Sequence, residues 1–60
     1  MSHETIKEII KSHVYGMSNA EIAQAYDISE SEVEQLLNIN SDEVEAERAY
    51  RAILEGGESV

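Results

Sequence analysis

The side chains of this sequence with the clearest capacity for chemistry are its carboxylates. The chain has 60 residues, with 13 Asp and Glu against 4 Lys and Arg, so its formal net charge is −9. Between Lys11 and Arg48 there is no basic residue. The acids that fall in this interval include Glu21, Asp27, Glu30, Glu32, Glu34, Asp42, Glu43 and Glu45. Carboxylates without counter-charges repel nucleic acid phosphates and attract basic protein surfaces.

Catalytic and metal-binding chemistry have little support in the sequence. His3 and His13 lack the spacing of a ligand pair, and there is no cysteine to supply a disulfide or a metal thiolate. No serine has a histidine and an acid at a recognisable spacing, and no glycine-rich loop is present to cradle phosphate. The sequence therefore predicts no enzyme activity, no metal and no cofactor.

Apolar residues at helical spacing predict a first and a last helix. The first spans residues 2–15, and Gly16 follows it where a left-handed residue commonly ends a helix. Its apolar stripe consists of Ile6, Ile9, Ile10, His13, Val14 and Met17. The last helix begins at residue 40 or 41 and ends near residue 55. Its apolar residues are Val44, Ala46, Ala49, Tyr50, Ile53 and Leu54. Ion pairs are expected between Glu8 and Lys11 and between Glu47 and Arg51.

Two capping boxes predict two further helices between the first helix and the last. Ser18 with Glu21, and Ser29 with Glu32, both follow the pattern S-x-x-E, in which the serine caps a backbone N–H and the glutamate bonds back. They predict short helices over residues 19–26 and 30–37. The connection at Asp27 is a tight turn that needs positive φ, which aspartate tolerates better than most residues.

The segment 18–37 resembles the helix-turn-helix superfamily, particularly the simple three-helix type of sigma-factor and response-regulator DNA-binding domains. Ala23 is small where the two helices would cross, and glycine is usual where this chain has Asp27. The residues that would fill the wedge between the helices are Ile22, Tyr26, Ile28, Val33 and Leu36. The expected fold is an all-α domain of three to four helices over residues 1–55, followed by a flexible tail at residues 56–60.

The resemblance also implies which residues form the outer face of the second motif helix, the one that enters the major groove in DNA-binding members. These positions are Ser29, Glu30, Ser31, Glu34, Gln35 and Asn38. They include two carboxylates and no cation, whereas DNA affinity depends largely on lysine and arginine. The first hypothesis is therefore a non-enzymatic regulatory module that binds a protein, such as a nucleic-acid-binding protein inhibited by DNA mimicry. Its predicted partner-binding residues are Glu30, Glu34, Gln35, Asp42, Glu43 and Glu45.

The alternative hypothesis is a sequence-specific DNA-binding regulator that forms a homodimer through the fourth helix. Ser31, Gln35 and Asn38 would read bases, and the candidates for phosphate contacts would be Lys7, Lys11, Arg48 and Arg51. The superfamily favours this alternative and the charge opposes it. A small, acidic, cysteine-free chain also resembles accessory proteins of phages and mobile elements. No apolar run approaches the ~20 residues of a membrane span and no signal peptide is recognisable, so the expected location is the cytoplasm.

Overall fold

A computed structural model describes residues 1–56 of the chain, and these residues form four α-helices. In chain order the helices are α1 (His3–Val14), α2 (Asn19–Tyr26), α3 (Glu30–Ile39) and α4 (Ser41–Glu55). Residues 1–56 contain no strand, so the prediction of a small all-α domain is confirmed. Within the same residues, every helix is too short or too polar to span a bilayer.

The predicted helix boundaries hold to within two residues. α2 and the end of α4 lie where they were predicted, whereas α3 continues past residue 37 to Ile39. α1 is one residue shorter at each end than predicted, because Ser2 is its N-cap and accepts a hydrogen bond from the Thr5 N–H at 3.1 Å. Gly16 adopts positive φ, 109°, as expected after α1. Of the predicted flexible tail at residues 56–60, Gly56 is the C-cap of α4, and residues 57–60 lie outside the described residues.

The core that residues 1–56 form consists of two clusters that share α1. The first joins α1, α2 and α3 through Ile9, Ile22, Ala23 and Val33. The second joins α1 to α4 through Ile10, Val14 and Val44. Adjacent residues of α1 thus serve different clusters, which places α1 between α4 and the α2–α3 pair. Met17 was predicted on the buried stripe and is 36% exposed instead, because the chain turns at Gly16 before reaching it.

α4 packs on α1 with a narrower surface than its apolar residues predict. Val44 is its only residue in the buried core of the described chain. The predicted apolar face beyond Val44 is exposed, including Tyr50, Ile53 and Leu54. α4 contacts α1 through a different side of the helix, which carries Val44, Arg48 and Arg51. The molecule is elongated, with principal extents of 41 × 19 × 17 Å.

Candidate functional site

α2 and α3 are joined by a tight turn whose geometry depends on Asp27. Asp27 has φ 58° and ψ 46°, the left-handed conformation predicted for it, and it is the C-cap of α2. The backbone N–H of the next residue, Ile28, donates to the carbonyl of Ala23 at 3.0 Å. This bond ends α2 and turns the side chain of Ile28 toward the first core cluster. The turn therefore fixes the angle at which α3 leaves α2.

Both predicted capping boxes are formed. The Ser18 N–H donates to Glu21 Oε1 at 3.0 Å, and the Glu21 N–H donates to Ser18 Oγ at 3.1 Å. In α3, the Ser29 N–H donates to Glu32 Oε1 at 3.0 Å, and the Glu32 N–H donates to Ser29 Oγ at 3.0 Å. Two of the carboxylates in the acidic segment, Glu21 and Glu32, thus have a structural role at the start of a helix.

The outer face of α3 is exposed along the length of the helix. Its exposed polar side chains are those of Glu30, Ser31, Glu34, Gln35 and Asn38. Glu30 and Glu34 are neighbours on the helix surface, and Ser31, Gln35 and Asn38 follow one another at helical spacing. No side-chain hydrogen bond or salt bridge among residues 1–56 engages any of them. We call Glu30, Glu34 and Gln35 the α3 face, and its polar groups are all available to a ligand.

An open depression beside the α2–α3 turn continues the acidic surface. Glu21, Asp27 and Glu30 are among the residues that line it, together with Gln24. Glu21 and Asp27 were not predicted as binding residues, because their positions in a capping box and a turn already explain them locally. Their placement beside Glu30 follows from the angle between α2 and α3, and this angle could not be predicted from the sequence.

The three acidic residues of α4 that were predicted to bind a partner lie in two different environments. Asp42, Glu43 and Glu45 are all exposed. Glu43 lies beside α1, with Oε2 at 3.9 Å from His3 Nε2, and it lines a groove between α1 and α4. Asp42 and Glu45 make no such contact with α1. Glu43 therefore belongs to the α1–α4 groove, while no contact links it to the α3 face.

All four cations of the chain lie on α1 and α4, and both arginines are engaged there. Arg51 Nη1 donates to the carbonyl of Val14 at 2.7 Å, Arg51 Nε contacts Glu55 Oε2 at 2.9 Å, and the guanidinium lies 5.1 Å from the centre of the Tyr15 ring. Arg48 Nη2 lies 3.2 Å from His13 Nε2, and since arginine can only donate, that nitrogen of His13 is the acceptor. The arginines thus hold α4 against the end of α1.

The two lysines lie on α1, away from the depression that the arginines line. Lys7 and Lys11 line the α1–α4 groove together with Glu43, Ala46 and Glu47. The predicted ion pairs of Glu8 with Lys11 and of Glu47 with Arg51 are not formed, because Arg51 pairs with Glu55 and Glu8 accepts from the Tyr26 hydroxyl at 3.4 Å. Because every lysine and arginine lies on α1 or α4, neither α2 nor α3 offers a cation that could attract a phosphate to the α3 face.

Among residues 1–56, no group of three or more potential ligands could hold a metal ion. Comparison of the chain with protein-family models, with curated proteins and with solved structures finds no match.

Proposed function

We propose that this chain is a non-enzymatic regulatory module that uses α2 and α3 as a helix-turn-helix scaffold to bind a basic protein partner. The observation that carries the proposal is the distribution of charge. α2 and α3 contain no lysine or arginine, and Glu30, Glu34 and Gln35 are exposed and free of internal partners. Such a surface attracts a cationic partner over a distance and retains its full hydrogen-bonding capacity on contact.

The partner that best fits this chemistry is a cytoplasmic nucleic-acid-binding protein. Its groove is lined by lysine and arginine to receive phosphates, and carboxylates on a helix can occupy that groove as a DNA mimic does. The acidic depression with Glu21 and Asp27 extends the negative surface next to the α3 face. Asp42 and Glu45, exposed at the start of α4, add charge without an internal partner. The lack of cysteine is consistent with a reducing compartment.

The proposal is tested with the double variant Glu30→Gln/Glu34→Gln, which removes two charges while keeping shape and helix propensity. A partner recovered from cell lysate with the wild-type protein is purified, and its association is measured by surface plasmon resonance across a salt series. We expect the association rate to fall by about 10-fold at low salt, with a weaker dependence on salt, because charge complementarity acts mainly through steering.

The matched control is Glu4→Gln/Glu8→Gln, which removes two charges from α1. Glutamine at position 8 keeps an oxygen acceptor for the Tyr26 hydroxyl. This control should retain most of the association rate, since its charges lie off the α3 face. Equal losses in both double variants would mean that net charge alone is recognised, and an unchanged rate in both would place the binding surface elsewhere.

A sequence-specific DNA-binding regulator is the second candidate, because Ser31, Gln35 and Asn38 are exposed at helical spacing on α3. Glutamine and asparagine amides can pair with adenine in the major groove. Fluorescence anisotropy with mixed duplex DNA at 50 mM salt separates the candidates. We expect no measurable binding, since no cation accompanies these side chains. Micromolar binding that weakens steeply with salt would support the DNA-binding candidate and contradict the protein-partner proposal.

A further inference from the structure

α3 and α4 are separated by a single residue, Asn40. α3 ends at Ile39 and α4 begins at Ser41. Asn40 has φ −105° and ψ 33°, so its backbone differs from helical geometry mainly in ψ. Its backbone N–H still donates to the Leu36 carbonyl at 3.0 Å, which is the bond that a continuing helix would make. A rotation at this one residue would therefore join the two helices into one.

Residue types do not force the chain to break at Asn40. Residues 30–55 contain neither proline nor glycine, the two residues that interrupt a helix most strongly. Leu37 and Val44 are seven residues apart, so both would lie on the same side of a continuous helix. The break is maintained by contacts instead. These are the packing of α4 on α1 and a hydrogen bond at 2.8 Å that Asn40 Nδ2 donates to the Leu36 carbonyl.

The break also leaves the start of α4 without a side-chain cap. The side chain of Asn40 occupies the N-cap position of α4 but donates back to α3. The first backbone N–H groups of a helix have no acceptor within that helix. In a continuous helix, the N–H groups of residues 41–43 would donate to the carbonyls of residues 37–39. Straightening the chain at Asn40 therefore adds backbone hydrogen bonds at the hinge.

The surface of α1 that α4 covers does not depend on α4 for its position. The first core cluster holds α1 against α2 and α3, and its buried members all precede α4 in the chain. If α4 left, Ile10 and Val14 of α1 would lose the cover that Val44 gives them. The side chain of Val44 in a second copy could restore that cover. Each contact that α4 makes with its own α1 can thus form again between two copies.

We propose that this chain forms a domain-swapped dimer, in which α3 and α4 become one helix and α4 of each copy packs on α1 of the other. A second copy fits the uncovered α1 surface because that surface already matches the side of α4 that carries Val44, Arg48 and Arg51. The net charge of −9 on each copy opposes association, so salt that screens this repulsion should favour the dimer. The inference does not rest on the proposed function, since no residue of the α3 face takes part in the exchange.

Two substitutions at Asn40 test the hinge. Asn40→Ala and Asn40→Gly both remove the side-chain hydrogen bond to Leu36, so they differ mainly in how readily residue 40 becomes helical. Alanine favours the helix about 5-fold over glycine at each hinge, and a swapped dimer contains two hinges. We therefore expect the association constant of the alanine variant to exceed that of the glycine variant by about 30-fold. Sedimentation equilibrium measures both constants, and equal values would overturn the proposal.

Mixed labelling tests the exchange of α4 itself. Isotope-labelled and unlabelled chains of Asn40→Ala are unfolded together in urea and refolded, and the dimer is isolated by size. Isotope-filtered NMR then detects only contacts between a labelled and an unlabelled chain. We expect such contacts between the methyl groups of Val44 and Ile10, because these side chains share the second core cluster. A dimer that lacks these interchain contacts, or a variant that stays monomeric at millimolar concentration, would overturn the proposal.

Discussion

The α2–α3 pair and α4 are attached to α1 in different ways. α2 and α3 place Ile22 and Val33 at 0% exposure against Ile9 of α1, also at 0%. α4 is the longest helix, with 15 residues, yet only Val44 of its side chains reaches the buried core. The first attachment depends on complete removal of apolar surface from water. The second depends on a cluster whose members are 3–7% exposed and on hydrogen bonds from two arginines.

This difference distinguishes apolar residues that stabilise the fold by being buried from apolar residues that the fold leaves exposed. The large apolar side chains of α2 and α3, apart from Ile39 at the end of α3, are explained by the core, and the other exposed side chains of these helices are mostly polar. In α4 the order is reversed, because Tyr50, Ile53 and Leu54 are exposed while Arg51 forms the contact with α1. Folding alone therefore accounts for most of the large apolar side chains of α2 and α3 and leaves most of those of α4 unexplained.

The sharpest test of this comparison exchanges isoleucine for alanine in each region. Ile22→Ala should lower the free energy of unfolding by about 3 kcal/mol, since it empties a fully buried site. Ile53→Ala, at a position 59% exposed, should change it by less than about 0.5 kcal/mol. Urea unfolding followed by circular dichroism measures both values. Similar losses in the two variants would contradict the distinction between the buried core and the exposed apolar side chains of α4.

Val44→Ala tests whether α4 depends on a single buried side chain. Removing its two methyl groups should cost about 1.5 kcal/mol. Amide hydrogen exchange should accelerate first in α4, while α2 and α3 keep their protection, because local opening follows local burial. Ile39→Ala, at a position 78% exposed, is the control and should leave exchange unchanged. Uniform acceleration in all four helices would mean that α4 opens only with the whole domain.

Asp27→Gly tests the turn between α2 and α3, which lies in the better-packed region of the molecule. Glycine adopts positive φ without steric strain, and the substitution removes one charge from the acidic surface, so we expect the free energy of unfolding to rise by about 1 kcal/mol. Asp27→Ala is the control, because it removes the charge and retains a Cβ at the strained position. Thermal melting compares the three proteins. A lower midpoint for the glycine variant would show that the aspartate side chain itself stabilises the turn.

The smallest expected effect concerns salt. Raising sodium chloride from 0.01 M to 0.15 M shortens the Debye length from about 30 Å to about 8 Å. The longest dimension of the molecule is 41 Å, so this change screens repulsion within it. We expect the melting temperature to rise, and to rise less in Glu30→Gln/Glu34→Gln, which dilutes the acidic region. A fall with added salt would mean that attractive contacts such as Arg51 with Glu55 outweigh the repulsion.

Local features of the fold could be predicted from the sequence. Both capping boxes and the positive φ of Asp27 involve residues close together in the chain, so residue types and spacing define them. The side of α4 that contacts α1 could not be predicted, since Val44 and Arg51 are selected by the position of α1 in space. The same limit applies to the candidate site: the exposed side chains of α3 follow from its periodicity, but the placement of Glu43 beside His3 required the structure.

The hydrogen bond from Arg51 to the Val14 carbonyl joins residues 37 positions apart, and this has a consequence for the order of folding. The buried residues that unite α1, α2 and α3 extend only from Ile9 to Val33. Shorter loops close at a smaller entropic cost, so this core can assemble before Arg51 reaches α1. We therefore expect the end of α1 to gain this partner late in refolding, and α4 to dock last.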